Sequence, residues 1–426
     1  MSADSMFKVA GDLCDSSVEA VAVGNRCPVC STIVASEDNW CKTCGAMLHG
    51  MKAASGGCGE SNWLKFSLRD RNSTVIGRSS DCDITPNLVH LSSKHAEVKT
   101  ENGRHYLHDF GGAAGTFVNG CRVEGSVLLQ ENDKISFCNK DFFYRAGDLF
   151  YKDPEVTVDK TVPLASRDVV LKADIMTKCV KNNSGHGTKE LIRDIHMEIR
   201  QGSLVALLGT AGAGKSTVMN CLNGMDLQGV EGTVLYHGVD LMRNFDQMKF
   251  LIGSVPQKKV FHGAFTPEEE FRQAAILRLP ADTSQKEIQS RVAKTLEMLS
   301  MSGVRKNRNS KLSGGEQTRV NVGIELVADR DLLCLDEPDQ GLSPNYKHEL
   351  FQIMQNLAHE YGKNVLSIIH DVSEIDMFDQ VVMLAKVGGV GRLAFSGTPA
   401  AAREYFGADI RDAYALLERE PERFVG

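Results

Sequence analysis

The chain has 426 residues and a formal net charge of −7, with 42% hydrophobic and 24% charged residues. At about 150 residues per domain, this length predicts about three domains with well-buried cores. The acidic balance argues against non-specific nucleic-acid binding, so we expect no nucleic-acid partner. No stretch approaches about 18 uninterrupted apolar residues and no basic start precedes an apolar run, so we expect neither a membrane-spanning helix nor a secretory signal.

The first 50 residues contain two pairs of cysteines. Residues 1–24 are small and polar and predict a flexible tail, whereas residues 25–50 hold two C-x-x-C motifs separated by ten residues. Each motif places two thiolates on one tight turn. Together they predict a small structural zinc ribbon with Zn²⁺ as cofactor, and free or redox-active thiols are the alternative. The predicted zinc ligands are Cys27, Cys30, Cys41 and Cys44.

Residues 62–148 have the pattern of a small all-β domain. Short apolar-alternating runs flank Asn102-Gly103 and Asn119-Gly120, and the Asn-Gly pair is the strongest short signal for a two-residue hairpin turn. No helical periodicity of useful length interrupts these runs. Residues 149–166 carry two prolines and mixed charge, and predict a linker.

From residue 167 to 426 apolar runs alternate with helical patterns, which predicts an α/β domain with a largely parallel sheet covered on both faces. One predicted helix has four apolar residues along one face. These residues are Ile288, Val292, Leu296 and Leu299.

The segment Gly209–Ser216 fits the phosphate-binding pattern G-x-x-x-x-G-K-[ST], between an apolar strand and a helix-compatible run. Its glycines let backbone N–H groups turn toward phosphate oxygens, and the following helix contributes its N-terminal dipole. Lys215 can reach the β- and γ-phosphates of ATP, and Ser216 can hold Mg²⁺.

A second polar pair follows the apolar run 332–335, about 120 residues after Lys215. Asp336 and Glu337 are placed at the end of a predicted strand, where parallel sheets bind ligands. Asp336 can contact Mg²⁺, directly or through water, and Glu337 can act as general base toward the attacking water.

Between these motifs the run Leu312–Gln317 reads LSGGEQ, called the signature below, and with it residues from about 167 to 410 resemble the nucleotide-binding domain of ATP-binding cassette (ABC) proteins. The resemblance implies an ATPase that converts ATP and water to ADP and phosphate, coupled to transport. It implies that Gln257 and His370 contact the γ-phosphate region, and that Gln257 joins Ser216 and Asp336 around Mg²⁺. The runs around Gln257 and at 395–407 resemble the G subfamily of ABC transporters.

The resemblance also implies partners. In the family the phosphate loop of one subunit faces the signature of another, so one phosphate loop and one signature imply a dimer with a second ABC ATPase subunit, and a homodimer is expected. An integral membrane permease is the implied partner, which places the chain in the cytoplasm, peripheral at the cytoplasmic face of the membrane. The implied nucleotide-binding residues are Gly209, Gly212, Gly214, Lys215, Ser216, Thr217, Asp336, Ser313, Gly314 and Gly315.

Residues 62–148 resemble a forkhead-associated (FHA) domain, an all-β sandwich that reads phosphothreonine. The matching residues are Gly77, Arg78, Ser92, His95, Gly115, Thr116, Phe117, Val118, Asn119 and Gly120. Arg78 with Ser92 and Ser93 supplies the guanidinium and short donors that a phosphate dianion needs. A phosphothreonine protein, such as the substrate of a Ser/Thr kinase, is the expected partner.

Two positions depart from these families. Ser343 stands where ABC proteins carry an aspartate that couples the two sites, and Ala114 stands where most FHA domains carry an asparagine that contacts the peptide. The sequence therefore leaves three functions open: a transporter ATPase regulated through the FHA domain, a soluble ABC-type switch, and a phosphoprotein-binding scaffold with weak hydrolysis.

Overall fold

The computed structural model describes residues 63–86, 88–152, 166–181 and 187–425, which belong to one compact unit. The predicted tail and zinc ribbon, with Cys27, Cys30, Cys41 and Cys44, lie outside the described residues and stay predictions. In the part of the chain that the structure describes, no group of three or more His, Cys, Asp or Glu side chains is arranged to hold a metal ion. None of the described helices is long and apolar enough to cross a membrane.

The first part of the described chain is a sandwich of two antiparallel sheets. Its ten strands are β1 (Trp63–Ser67), β2 (Ser73–Ile76), β3 (Ala96–Glu101), β4 (Arg104–Asp109), β5 (Phe117–Val118), β6 (Cys121–Arg122), β7 (Ser126–Leu128), β8 (Lys134–Phe137), β9 (Lys140–Arg145) and β10 (Asp148–Lys152). One sheet has the order β1-β10-β9-β8-β5-β6 and the other the order β2-β3-β4-β7. Strand β10 runs on into the segment predicted as linker, because it pairs along its length with β1.

Both predicted hairpin turns are present. Asn102 and Gly103 have φ angles of 52° and 73° between β3 and β4, and Asn119 and Gly120 have φ angles of 51° and 81° between β5 and β6. Positive φ at both central residues defines the turn whose twist matches paired strands, and Asn and Gly adopt it at the lowest cost. These turns fix the strand register of the sandwich.

The remainder is an α/β domain built on one ten-stranded sheet. Its strands are β11 (Val169–Lys181), β12 (Thr188–Arg200), β13 (Leu204–Gly209), β14 (Val230–Tyr236), β15 (Val239–Asp240), β16 (Ile252–Val255), β17 (Leu332–Asp336), β18 (Asn364–Ile368), β19 (Gln380–Val387) and β20 (Val390–Gly397). Its helices are α1 (Lys215–Leu222), α2 (Leu241–Met248), α3 (Pro267–Arg278), α4 (Gln285–Met298), α5 (Gly314–Leu326), α6 (Pro344–His359), α7 (Pro399–Phe406) and α8 (Ile410–Arg419).

The sheet is parallel over half of its width only. Its order is β15-β14-β11-β12-β20-β19-β13-β18-β17-β16, and the five strands from β19 to β16 run parallel. Strands β11, β14 and β15 pair antiparallel, and β20 pairs antiparallel with β19 across a turn at Gly388-Gly389. The expectation of a largely parallel sheet was therefore too broad, because short connections return the chain beside the strand it has just left.

Helix α4 confirms the predicted apolar face. Ile288, Val292 and Leu296 are buried in a cluster that joins α3, α4, α5 and α6 to the parallel strands. Ser284 caps α4 through a reciprocal box with Glu287, so the beginning of this helix is fixed by its own sequence.

The sandwich packs directly on the α/β domain. Its buried apolar residues and those of β11, β12 and β14 form one continuous cluster. Gln247 of α2 is buried and donates its side-chain N–H to the carbonyl oxygen of Cys138, at 2.6 Å. The ring of His90 lies 5.8 Å from that of Phe250, and only 4% of the His90 residue is exposed.

The buried ring of His90 makes the packing of the sandwich on the α/β domain sensitive to acid. Neither ring nitrogen has a hydrogen-bond partner among the described residues, and burial, helped by the Arg330 charge, lowers the pKa of His90 from 6.5 to about 3. The unfolded chain therefore binds a proton below pH 6.5 that the folded protein excludes until about pH 3, so stability falls as pH drops through this window.

In the wild type, the free energy of unfolding should fall by about 1.4 kcal/mol per pH unit between pH 6 and 4 because of His90. We expect His90→Leu to abolish this contribution, as measured by the pH dependence of the urea midpoint. The same substitution at His108, a half-buried histidine of β4, is the matched control and should leave the acid sensitivity in place. An unchanged pH dependence in His90→Leu would show that this ring is not held neutral in the folded protein.

Candidate functional site

Four neighbouring parallel strands deliver the predicted chemical groups to one edge of the sheet. The phosphate loop follows β13, and His370 follows β18. Asp336 is the last residue of β17 with Glu337 directly after it, and Gln257 follows β16. Because parallel strands point their carboxyl ends the same way, groups distant in sequence meet there.

The phosphate loop wraps around the beginning of α1. Gly209, Gly212 and Gly214 have φ angles of 155°, 71° and 84°. A Cβ on Gly209 would lie 2.6 Å from the Leu384 carbonyl oxygen, and one on Gly214 would lie 2.6 Å from Ile192. The loop therefore requires glycine for both its backbone conformation and its close approach to the sheet.

Lys215 begins α1 and folds back over the loop. Its ammonium donates to the Gly209 carbonyl oxygen at 2.9 Å and to that of Thr210 at 3.4 Å. Burial lowers the pKa of Lys215, while the nearby carboxylates of Glu337 and Asp336 act in the opposite direction. The N–H groups of Lys215, Ser216 and Thr217 belong to the first helical turn, which has no acceptors within the helix, so they are available to an anion.

Glu337 is the centre of the polar cluster. Its Oε1 lies 2.7 Å from His370 Nε2, and its Oε2 accepts from the Gln257 side-chain N–H at 2.8 Å. The Glu337 side chain is 18% exposed and that of His370 is 54% exposed. A carboxylate oxygen accepts hydrogen bonds, so the tautomer of His370 with its proton on Nε2 donates to Glu337 in this geometry. The structure thus brings together the three residues predicted to be catalytic.

Asp336 lies one residue before Glu337 and faces the lysine. Burial and the Glu337 charge raise the pKa of Asp336, and Lys215 and His370 act against this. Ser216, Gln257 and Asp336 offer a hydroxyl, an amide oxygen and a carboxylate. This all-oxygen set fits Mg²⁺, which prefers hard oxygen ligands and keeps part of its water shell.

Ser313 caps α5. None of its hydrogen bonds among the described residues reaches the phosphate loop of the same chain. Its hydroxyl accepts from the Glu316 N–H at 3.3 Å, and Glu316 accepts from the Ser313 N–H at 2.7 Å. Gly314 and Gly315 form the first turn of α5, and a Cβ on Gly315 would lie 3.3 Å from Tyr346. The helix N-terminus is thus set in place, and the Gly314 and Gly315 N–H groups have no acceptor within the helix.

Sequence reasoning missed Gln340. Its side-chain N–H donates to Glu337 Oε2 at 3.1 Å, and its oxygen accepts from Gln257 at 3.0 Å. Gln340 follows Glu337 by three residues in a turn, and no sequence pattern marks such a contact. Ser343, the departure noted above, is the N-cap of α6 and makes no side-chain capping hydrogen bond.

The predicted phosphopeptide residues lie on two loops of the sandwich. Arg78 Nε donates to the Leu91 carbonyl oxygen at 3.0 Å, and its Nη2 lies 3.5 Å from Ser93 Oγ. The Ser92 N–H donates to His95 Nδ1, and His95 Nε2 lies 3.2 Å from the Gly115 carbonyl oxygen. His95 therefore braces the Ser92 loop against the next one.

Arg78 also reaches the α/β domain. Its Nη2 lies 3.3 Å from Asp282 Oδ1, its Nη1 pairs with Glu287, and the Ser93 N–H donates to Asp282 Oδ2 at 2.5 Å. The sequence placed Arg78 at a binding site open to a partner. In the structure the same guanidinium meets two carboxylates of its own chain.

These features define an α/β ATP-binding domain of the P-loop class joined to a β-sandwich that carries Arg78, Ser92 and Ser93 on its loops. Comparison with known proteins agrees: residues 192–340 match the ABC transporter family, and residues 74–138 match the FHA domain. The chain thus contains an ABC-type ATP-binding domain and an FHA domain.

Several curated proteins are similar over longer stretches. The chain is 33% identical over 348 residues, 82% of its length and 38% of the relative's, to the ABC transporter ATP-binding/permease protein Rv1747 of Mycobacterium tuberculosis. It is 34% identical to ABC transporter G family member 28 of Arabidopsis thaliana, over 51% of this chain and 20% of that protein. The chain thus spans less than two fifths of the length of these relatives.

Among solved structures, the ATP-binding subunit of an ABC transporter matches 59% of this chain and 100% of its own, with 23% identity and a TM-score of 0.48.

We expect Gln340→Ala to lower kcat for ATP hydrolysis about tenfold, because the Glu337 carboxylate loses one of its amide donors. KM for ATP should change little, since Gln340 makes no contact with the phosphate loop among its hydrogen bonds. Steady-state kinetics measures both constants, with Gln352→Ala on α6 as control. A rise in KM with kcat intact would assign Gln340 to nucleotide binding instead.

Proposed function

We propose that this chain is the ATP-hydrolysing subunit of an ABC transporter, that ATP closes it into a dimer, and that its FHA domain regulates it through phosphothreonine. The observation that carries the proposal is the convergence of Glu337, His370 and Gln257 beside the Lys215 loop, at one edge of four parallel strands.

Binding of ATP rests on the loop and α1. Lys215 exchanges its hydrogen bonds to the Gly209 and Thr210 carbonyl oxygens for phosphate oxygens, and the first-turn N–H groups of α1 orient the β-phosphate. The triphosphate charge offsets the burial of the Lys215 ammonium. Ser216, Gln257 and Asp336 would hold Mg²⁺ through oxygen atoms, and the ion would supply positive charge that offsets the negative charge of the phosphates.

Hydrolysis rests on Glu337. Its carboxylate accepts a proton from the attacking water, while Gln257 and Gln340 hold one of its oxygens in place. His370, exposed and adjacent, turns from Glu337 toward the γ-phosphate when the nucleotide enters. The N-terminus of α5 at Ser313 in a second copy supplies further N–H donors to the γ-phosphate.

The membrane partner is supported by the relatives. The Mycobacterium tuberculosis protein is named an ATP-binding/permease protein, and this chain covers 38% of it. We propose that an integral membrane permease works with this chain at the cytoplasmic face of the membrane. The FHA domain binds a phosphothreonine protein through Arg78, Ser92 and Ser93, and its packing on the ATPase domain carries the signal.

We expect Lys215→Ala to abolish ATP binding, whereas Glu337→Gln should keep ATP bound and lower hydrolysis at least about a hundredfold because the general base is lost. With ATP and Mg²⁺, light scattering should show a dimer of Glu337→Gln and a monomer of Lys215→Ala. Hydrolysis that survives Glu337→Gln would overturn the assigned base.

A wild-type chain that binds ATP without turnover would favour the scaffold function. Ser343→Asp would then test whether the missing aspartate is the cause.

We expect the tagged full chain to retain an integral membrane protein when it is isolated from detergent-solubilised membranes of its source organism, as identified by mass spectrometry. The bare tag is the control. If soluble phosphoproteins are retained in place of membrane proteins, the soluble switch is the correct function and the transporter assignment is wrong.

A further inference from the structure

The phosphate-binding residues of the FHA domain face an acidic segment of the ATPase domain. Asp282 lies in the connection between α3 and α4, and Glu287 lies in the first turn of α4. The Arg78 side chain is only 12% exposed, and it contacts both carboxylates. The Ser93 N–H completes the contact with Asp282, at 2.5 Å.

Asp282 is held in the ionised form by these donors. Burial acts to raise the pKa of Asp282, but hydrogen bonds from Ser93 and the Arg78 charge prevail and lower it. Its two oxygens therefore accept from a guanidinium and a backbone N–H, as two oxygens of a phosphate would. Thr283 adds a hydroxyl 3.5 Å from Arg78.

The acidic segment is presented by a rigid helix end. Ser284 and Glu287 form a reciprocal capping box, in which Glu287 Oε2 accepts from the Ser284 N–H at 2.8 Å. The other oxygen, Oε1, remains for Arg78. The helix cap thus already fixes the Glu287 side chain in the orientation in which it contacts the FHA domain.

We propose that Asp282 and Glu287 occupy the phosphate position of Arg78 and Ser93, so that a phosphothreonine ligand binds only when this acidic segment withdraws. The inference rests on the proposed phosphothreonine role of Arg78 and extends it. The contacts of Arg78 and Ser93 with Asp282 and Glu287, called the latch below, hold the FHA domain to the ATPase domain until the ligand displaces the two carboxylates.

Withdrawal of the segment reaches the helix that carries the signature. Helix α3 packs on α5 so closely that a Cβ on Gly323 would lie 2.2 Å from the Phe271 ring. Since packed helices shift as units, a displacement of the α3–α4 connection changes the setting of α5, whose N-terminus holds Ser313. Release of the latch therefore alters the surface that the second ATPase subunit must meet.

The latch is tested on the full chain with Asp282→Asn/Glu287→Gln, which keeps side-chain shape and the capping box. Glu297→Gln, an exposed position on the same helix, is the matched control. Hydrogen–deuterium exchange should become faster in the segment that contains Ser93 in the double variant and stay unchanged in the control. Unchanged exchange in both would overturn the latch.

The competition is tested with a peptide mixture of fixed phosphothreonine and varied flanks, beside the same mixture without phosphate. We expect the double variant to bind the phosphorylated mixture about tenfold or more tightly than the wild type, the control to match the wild type, and Arg78→Ala to lose binding. Equal affinity of wild type and double variant would overturn the occlusion and leave phosphothreonine recognition intact. Faster exchange without peptide binding in any variant would instead overturn that recognition and leave Arg78 as an interdomain contact.

Discussion

The sheet edge that carries the phosphate loop, Glu337 and His370 depends on the register of β13, β18, β17 and β16. Pairing places Leu207 beside Ile368 and Asp336 beside Ile368, so the ends of three strands stand level and their loops start from one line. A slip of one residue would turn each side chain to the opposite face of the sheet and separate Glu337 from His370. The strands are almost fully buried, and this burial fixes the register.

The position of the FHA domain depends on a different constraint, which is its attachment to the α/β domain. Among the described residues, contacts of unlike chemistry hold it: a shared apolar cluster, the packing of His90 on Phe250, the amide of Gln247 on the Cys138 carbonyl oxygen, and the ion pairs of Arg78. The apolar cluster and the amide contact contain no charged group, whereas the ion pairs use groups that also suit phosphate. A phosphate ligand therefore acts on one corner of a fixed interface and leaves the rest attached.

Much of the fold and of the nucleotide site could be predicted from the sequence, because local chemistry fixes those parts. The Asn-Gly turns, the phosphate loop and the apolar face of α4 each depend on residues close in the chain. The antiparallel half of the large sheet, the contact of Gln340 with Glu337 and the pairing of Arg78 with Asp282 could not be predicted. Arg78 and Asp282 are about 200 residues apart, and no periodic pattern links them.

The burial of Arg78 decides what kind of latch this is. A guanidinium that is 12% exposed cannot remain unpaired, because an uncompensated buried charge costs several kcal/mol. While the acidic segment covers Arg78, an anion must therefore fill the site, and displacement of the carboxylates requires another anion of at least equal strength. Phosphothreonine supplies close to two charges and three acceptor oxygens on one group, where Asp282 and Glu287 supply one charge each from two positions. One anion thus replaces another at Arg78. The relative affinity of the site for phosphothreonine and for the two carboxylates is set by how well each anion matches the donors of Arg78 and Ser93.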